Sequence, residues 1–480
     1  MNTLAKLIIT LVIPWLLGFG FISLIFRNNR SQISALEVWG LSWGIGLGLL
    51  GLEMFIIALL NIPLTFLTIL IPTAIILMAL GAGLFITRTP GAKLLELKDV
   101  ARLIAEFRAT LFWPKVFTAV LFSLISLTVL YVFFDALVKP ILNFDDLWRQ
   151  GCIAKIIFVT GQVITPQTLD LAGPHPFLNP LSQAWIYLGL GAWNDPLGKV
   201  IFALCFLALI LIFYANLRKD MSRRLSLIFV YLLTSFPLII YHAGTAYSDF
   251  LQTFYYTAGV IYLYRWWQKQ TPPYLYTSAI LLGLGTFVKQ AGIPLWVVSL
   301  LVLFAFILGE KRSQLKQGFR FTLLSAFVAA PWLFYQNSFL MRKVSSVGSK
   351  ILVLLGQAAP LEPAVNSSAP SLQPTLGNIL QHLTSRMFTY ADWQILWFVF
   401  GLTLVFCWQH IFQTTLKYLL LIIGLDLIMV IWLFFDPASY QFLVDGTLVN
   451  RILMNEVPVV LFFTAQTLAA ALQPQKPRQH

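Results

Sequence analysis

Charge is scarce in this sequence. Only 11% of the 480 residues are Asp, Glu, Lys or Arg, whereas 59% are hydrophobic and the mean hydropathy is +0.81. A soluble domain of this size does not carry such a balance. The composition therefore excludes a soluble globular protein and predicts a polytopic membrane protein.

Cysteine is also scarce. The chain has three cysteines. Cys205 and Cys407 lie within apolar runs, where cysteine behaves as a small hydrophobic residue, and Cys152 lies outside these runs. Neither a disulfide framework nor a metal-ligand spacing is visible. Nucleic-acid motifs are absent too, so we expect no nucleic-acid partner. We interpret the net charge of +13 as loops that face anionic lipid on the cytoplasmic side.

No internal repeat is visible in the sequence, which instead consists largely of long apolar runs. The sequence predicts an all-α fold of about 13 transmembrane helices with juxtamembrane helices on the outer face. The first run is too long for a signal-peptide core, so we expect it to be retained. The runs are Leu4–Phe26, Leu36–Leu60, Leu64–Ile86, Phe112–Leu137, Leu197–Ala215, Leu225–Tyr241, Phe250–Trp266, Tyr274–Phe287, Ile293–Leu308, Phe321–Tyr335, Trp393–Trp408, Tyr418–Phe435 and Ile452–Leu472.

The basic residues predict the topology. If the loop around Asp145 lies outside, most of the 32 Lys and Arg fall in loops on the other side. This places the N-terminus outside and the C-terminus in the cytoplasm of a plasma (inner) membrane protein. If the apolar segment His175–Trp193 crossed the membrane, every later loop would change sides and the basic loops would no longer lie on one side. We therefore predict that it is a juxtamembrane or re-entrant helix on the outer face.

An acid pair stands directly after a long apolar run. Asp145 and Asp146 are followed at helical spacing by Trp148, Arg149 and Lys155. Carboxylates at a membrane surface in so apolar a chain need a partner, such as a substrate or a cation. The structural alternative is that Asp145 caps a helix that begins just after the pair. The two roles can coexist.

Three further charged residues are predicted to lie on the same face as the acid pair. They are Asp249 at the start of a span, Lys289 at the end of another and Arg451 at the start of the last. Each alone has a structural explanation, because an acid suits a helix N-terminus and long basic side chains snorkel. Together they predict a site in which carboxylates serve as base or cation ligand and the two basic side chains bind phosphate oxygens.

The order of these motifs carries a resemblance. The acid pair and Trp148 with Lys155 are followed by HP-x-x-NPL from His175, Y-x-D from Tyr247, K-Q-x-G from Lys289, and an arginine near a final span. The chain from about Phe112 resembles the GT-C membrane glycosyltransferases. It looks most like the branch of protein O-mannosyltransferases and lipid A aminoarabinose transferases. The HPPL and K-x-E/G-G patterns of that family are each altered here.

The resemblance implies an inverting transferase that moves a sugar from a polyprenyl-phosphate donor to a hydroxyl on the outer face. Asp145 or Asp146 would be the general base, and Lys289 and Arg451 would bind the donor phosphate. The remaining expectations are substrate contacts from Trp148, His175 and Tyr247, a divalent cation such as Mg²⁺ or Mn²⁺ at Asp249, and a glycan, lipid or protein acceptor among membrane lipids. The plainer interpretation of His175 is a local hydrogen-bond partner.

The resemblance also divides the chain. Residues 1–111 would be a three-helix addition with a basic amphipathic helix at Arg88–Leu111. Residues 112–336 would be the catalytic membrane core, with an outer catalytic loop at 138–196. An outer-face loop or insert at 337–390 would be partly disordered around Ala358–Pro374, and 391–480 would be C-terminal membrane helices.

Two other functions stay open on the sequence. A transporter or flippase of a lipid-linked glycan would use acids inside the membrane, such as Glu53, Asp426 and Glu456, as relays. Such proteins usually show repeat symmetry and a broken helix near mid-membrane, and neither a repeat nor a pair of breaks is visible here. A family member without activity could instead serve as an assembly subunit.

Overall fold

The protein is built from helices. A computed structural model describes residues 2–87, 111–173, 175–354 and 374–472, without the side chains of 337–354. Within these ranges every regular element is helical. Nine of these helices are long and apolar enough to cross a membrane, or ten if one bent pair counts as a span. The chain is thus an all-α polytopic membrane protein, as its composition predicts.

The first three helices are α1 (Thr3–Ile25), α2 (Ala35–Leu59) and α3 (Phe66–Ile86). A capping box between Ser34 and Glu37 begins α2. Backbones of α1 and α2 touch, because a Cβ added at Gly46 would stand 1.7 Å from the Pro14 carbonyl oxygen. Glycine therefore permits the close packing of α1 against α2.

The next span is followed by the acid pair, then by a set of shorter helices, and then by another candidate span. These elements are α4 (Phe112–Val138), a π-helical turn (Asp146–Gly151), α5 (Cys152–Thr160), α6 (Pro166–Ala172), α7 (Leu178–Leu190) and α8 (Asp195–Leu217). The 13 residues of α7 are almost all buried, and α7 is not among the candidate spans. Its location on the outer face stays a prediction.

The centre of the bundle is α11. The helices of this region are α9 (Arg223–Ser235), α10 (Pro237–Gly244), α11 (Ser248–Lys269), α12 (Pro272–Gly285) and α13 (Gly292–Glu310). A bend of 67° separates α9 from α10, at a proline that removes a backbone donor. Nearly every residue of α11 is buried.

The C-terminal region supplies the last wall of the bundle. Its helices are α14 (Leu315–Leu354), α15 (Leu376–Phe388), α16 (Leu396–Phe406), α17 (Trp408–Gln413), α18 (Leu416–Leu433), α19 (Pro437–Val444) and α20 (Val449–Leu472). The predicted amphipathic helix at Arg88–Leu111 and the predicted disorder at Ala358–Pro374 lie almost wholly outside the described residues. The predicted domain boundaries stay predictions.

The predicted count of 13 spans is not confirmed. All 13 apolar runs coincide with helices, but α12 and α16 have only 14 and 11 residues, and α11 is too polar to qualify. Buried polar side chains such as Gln252 and Arg265 lower the hydropathy of α11. A helix surrounded by other helices is shielded from lipid, so it does not need a continuous apolar surface.

Acids inside the bundle have protein partners. Glu53 accepts a hydrogen bond of 2.8 Å from the Thr73 hydroxyl of α3. Asp426 of α18 accepts from the Tyr256 hydroxyl and interacts with Glu456 of α20. Each of these acids thus helps to join neighbouring helices.

Candidate active site

Four charged residues that are far apart in the sequence form one network. Arg451 donates from Nη1 to Asp145 Oδ2 and from Nη2 to Asp249 Oδ2, both at 2.8 Å. Lys289 Nζ lies 2.5 Å from Asp249 Oδ1. The structure therefore brings together four charged residues that the sequence singles out, namely Asp145, Asp249, Lys289 and Arg451.

Local structure positions each member of the network. Asp249 lies in the first turn of α11, where the helix dipole favours a carboxylate, and is 1% exposed. Lys289 lies in the tight turn between α12 and α13. That turn requires Gly292, because a Cβ there would stand 2.1 Å from the Gly285 carbonyl oxygen. Arg451 lies in the first turn of α20, from where its guanidinium contacts Asp249.

The two acids of the pair have different environments. The side chain of Asp145 is 32% exposed and binds Arg451, and it makes no capping hydrogen bond, so the capping interpretation is wrong. Asp146 is 1% exposed. Its Oδ2 accepts from the Ala246 backbone N–H at 3.0 Å and from the Asn143 amide at 3.3 Å. Burial raises the pKa of Asp146 to about 7.

The three predicted substrate contacts have different surroundings. Tyr247 packs against it, since the Arg451 guanidinium carbon lies 4.8 Å from the centre of the Tyr247 ring. His175 is half-buried, and burial lowers its pKa to about 4, so the imidazole is neutral at physiological pH. Trp148 is 60% exposed and packs on Phe144 outside the network.

The other basic residues of the acid-pair stretch serve as structural links. Arg149 donates to the Leu171 carbonyl at 3.2 Å, and Lys155 forms an ion pair of 3.0 Å with Asp195. Both contacts fasten the short helices after the acid pair to their neighbours. Neither residue joins the charged network.

Sequence reasoning missed the residues that hold the acid pair in place. The Tyr241 hydroxyl donates to Asn143 Oδ1 at 2.8 Å, and Asn143 in turn donates to Asp146. His242 lies beside Tyr247, with ring centres 5.0 Å apart. Polar aromatic residues immediately after the Pro237 break were the available signal, because a broken helix often marks a site.

The arrangement at Asp249 does not fit a metal ligand. Both of its oxygens already accept from cationic groups, and a divalent ion would compete with them. Across the described ranges, His, Cys, Asp and Glu form no group of three that could hold an ion. The divalent cation stays a prediction, and the contacts at Asp249 support no step that depends on it.

Helices that cross a membrane and a buried network of acids and bases at their ends define a membrane protein with a polar site. Residues 175–335, about a third of the chain, match the family of dolichyl-phosphate-mannose-protein mannosyltransferases. This match supports membership of the GT-C superfamily, and with it a membrane glycosyltransferase that uses a polyprenyl-phosphate sugar donor. No curated protein and no solved structure matches the chain.

Proposed function

We propose that this protein transfers a sugar from a polyprenyl phosphate to an acceptor hydroxyl, with inversion at the anomeric carbon, on the outer face of the membrane. The observation that carries the proposal is the network in which Lys289 and Arg451 meet at Asp249 beside Asp145. Two cationic groups at one point suit a phosphate, and a partly exposed carboxylate next to them suits a general base.

The cationic pair would stabilise the leaving group. As the bond between the anomeric carbon and the phosphate oxygen breaks, its electron pair stays on that oxygen and negative charge accumulates there. Lys289 and Arg451 are held in advance by Asp249, so they need no large rearrangement to meet this charge. Asp249 thus acts as a positioning residue for both.

We assign the general base to Asp145. Its carboxylate is partly exposed and contacts Arg451, which places it beside the expected phosphate. The acceptor oxygen forms the new bond to the anomeric carbon while its proton passes to Asp145. Asp146 is buried and bound to the Ala246 N–H, so its role is to fix the loop that carries Asp145.

The test is a comparison of Asp145→Asn with Asp146→Asn. Each variant is purified in nanodiscs and given a polyprenyl-phosphate sugar, and transfer and anomeric configuration are measured. Loss of a base lowers rates about 10²- to 10⁴-fold, so we expect at least a hundredfold loss for Asp145→Asn. Asp146→Asn keeps an oxygen that accepts from Ala246 and should lose far less.

Three outcomes would overturn the proposal. Undiminished transfer by Asp145→Asn would show that Asp145 is not the general base. Movement of a lipid-linked glycan across liposomes by the wild-type protein, without transfer, would favour the transporter alternative. Retention of configuration in the product would contradict the single displacement.

A further inference from the structure

The segment HP-x-x-NPL contributes a second polar residue besides His175, namely Asn179. Asn179 lies in the first turn of α7 and is buried. Its amide nitrogen donates to the Ala246 carbonyl oxygen at 2.7 Å and to the Ser248 hydroxyl oxygen at 3.0 Å. Two hydrogen bonds from one buried amide to a segment almost 70 positions away attach that segment firmly to α7.

The surroundings of the Asn179 amide determine its orientation. A carbonyl oxygen can only accept, so the amide nitrogen and not the amide oxygen must face Ala246. The amide oxygen then accepts from the side-chain nitrogen of Gln183, one helical turn further along α7, at 2.7 Å. Gln183 is buried as well. Because a satisfied buried network of this kind is rigid, Asn179 is a fixed point of attachment.

The segment that Asn179 holds is the connection between α10 and α11. Within it, the Ala246 N–H donates to Asp146 Oδ2 at 3.0 Å, so both backbone polar groups of Ala246 are hydrogen-bonded. Ser248 directly precedes Asp249, which binds the two basic residues of the charged network. A displacement of this connection would therefore move Asp249 and disturb the contact to Asp146.

The same turn of α7 also contacts the connection that carries Lys289. The Leu178 N–H donates to the Phe287 carbonyl oxygen at 3.2 Å. Phe287 lies two positions before Lys289 in the sequence. The first turn of α7 thus holds both connections, whose side chains Asp249 and Lys289 form an ion pair. One rigid turn therefore sets the spacing between the two halves of this pair.

We propose that Asn179 is a positioning residue for the donor-phosphate site and acts through the connection between α10 and α11. The inference rests on the proposed function, since it takes Lys289 and Arg451 as the groups that bind the phosphate. Groups that stabilise a developing charge are most effective when they are fixed before that charge appears. A misplacement of about 1 Å can cost about a hundredfold in rate. Asn179 prevents such a misplacement by fixing Asp249, which holds both cationic groups.

The test measures the binding of decyl phosphate, a mimic of the donor head, to the full-length protein in phosphatidylcholine nanodiscs by isothermal titration calorimetry. Asn179→Ala removes both hydrogen bonds to the connection, and we expect its Kd to rise about tenfold. Ser248→Ala removes one of them and should raise the Kd about threefold. Thermal unfolding checks that each variant folds, and Ser248→Ala replaces Asn179→Ala below if the latter does not.

A double-mutant cycle separates positioning from general damage to the fold. In an Asp249→Asn background the cationic groups have lost the carboxylate that Asn179 positions, so Asn179→Ala should change the Kd by less than about twofold. General damage would instead weaken binding by the same factor in both backgrounds. Ser182→Ala is the matched control, because Ser182 is buried on the same helix and donates to the Leu178 carbonyl within it. This variant should bind decyl phosphate like the wild type.

Each outcome of the cycle has a distinct meaning. Equal Kd values for Asn179→Ala and the wild type would overturn the inference, and so would an equal effect of Asn179→Ala in both backgrounds. The expected cycle in a protein that transfers no sugar would overturn the proposed function and leave the positioning role intact. A wild type that does not bind decyl phosphate would overturn both, because Lys289 and Arg451 would then not form a phosphate site.

Discussion

Replacement of Arg451 by lysine keeps the charge of the network and removes its geometry. The guanidinium reaches Asp145 and Asp249 through two different nitrogens, each at 2.8 Å. A lysine ammonium is a single point on a flexible stem and cannot hold both carboxylates in this way. Loss of one charge-assisted hydrogen bond costs about 1.5–3 kcal/mol, which corresponds to about a ten- to hundredfold loss in kcat/KM.

The assay is sugar transfer by Arg451→Lys in nanodiscs across a range of donor concentrations. Arg218→Lys is a matched control, because Arg218 donates to the Met221 carbonyl outside the network and should leave kcat/KM unchanged. A thermal-unfolding curve for each variant shows whether folding is retained. A value of kcat/KM for Arg451→Lys equal to that of the wild type would refute the argument, since charge alone would then suffice.

The remaining predictions concern charge, packing and metal. The contribution of Asp146 to stability should fall as pH rises from about 4 to about 7, because folded Asp146 keeps a proton that the unfolded chain has lost. His175, whose pKa is lowered to about 4, contributes the opposite slope, so the test is the difference between two proteins. The stability of Asp146→Asn should rise with pH relative to that of the wild type in thermal unfolding, and equal slopes would contradict this assignment. Gly292→Ala should lower both the unfolding temperature and transfer, because its Cβ meets the Gly285 carbonyl, whereas Gly424→Ala has open space and should do neither. Chelation with EDTA should leave transfer unchanged, because both oxygens of Asp249 already bind cationic side chains. An EDTA-sensitive rate restored by Mg²⁺ would show the opposite.

The sequence was sufficient for the fold class and for most members of the site. Hydropathy along the chain is a property of the local sequence, so the nine long apolar helices of the described residues could be located from it. The run Phe250–Trp266 also located α11, although that helix is too polar to count among the candidate spans because its polar side chains face other helices and not lipid. Convergence of Asp249, Lys289 and Arg451 was predictable, because their positions relative to the spans predict the same face.

The partners within the site could not be predicted. A sequence shows that Asp249 is acidic, but not that two cationic groups occupy its oxygens, so a metal ligand was an equally reasonable interpretation. The different burial of Asp145 and Asp146 was invisible for the same reason, since adjacent residues can point into different surroundings.

The contact between Asp145 and Arg451 spans 306 positions of the chain. A nascent chain that has inserted every helix through α19 still lacks Arg451, whose guanidinium joins Asp145 to Asp249. Both carboxylates would face each other without their shared counterion until α20 packs. Helix α20 therefore completes the site, and the order of synthesis delays its completion until this helix has packed in the membrane.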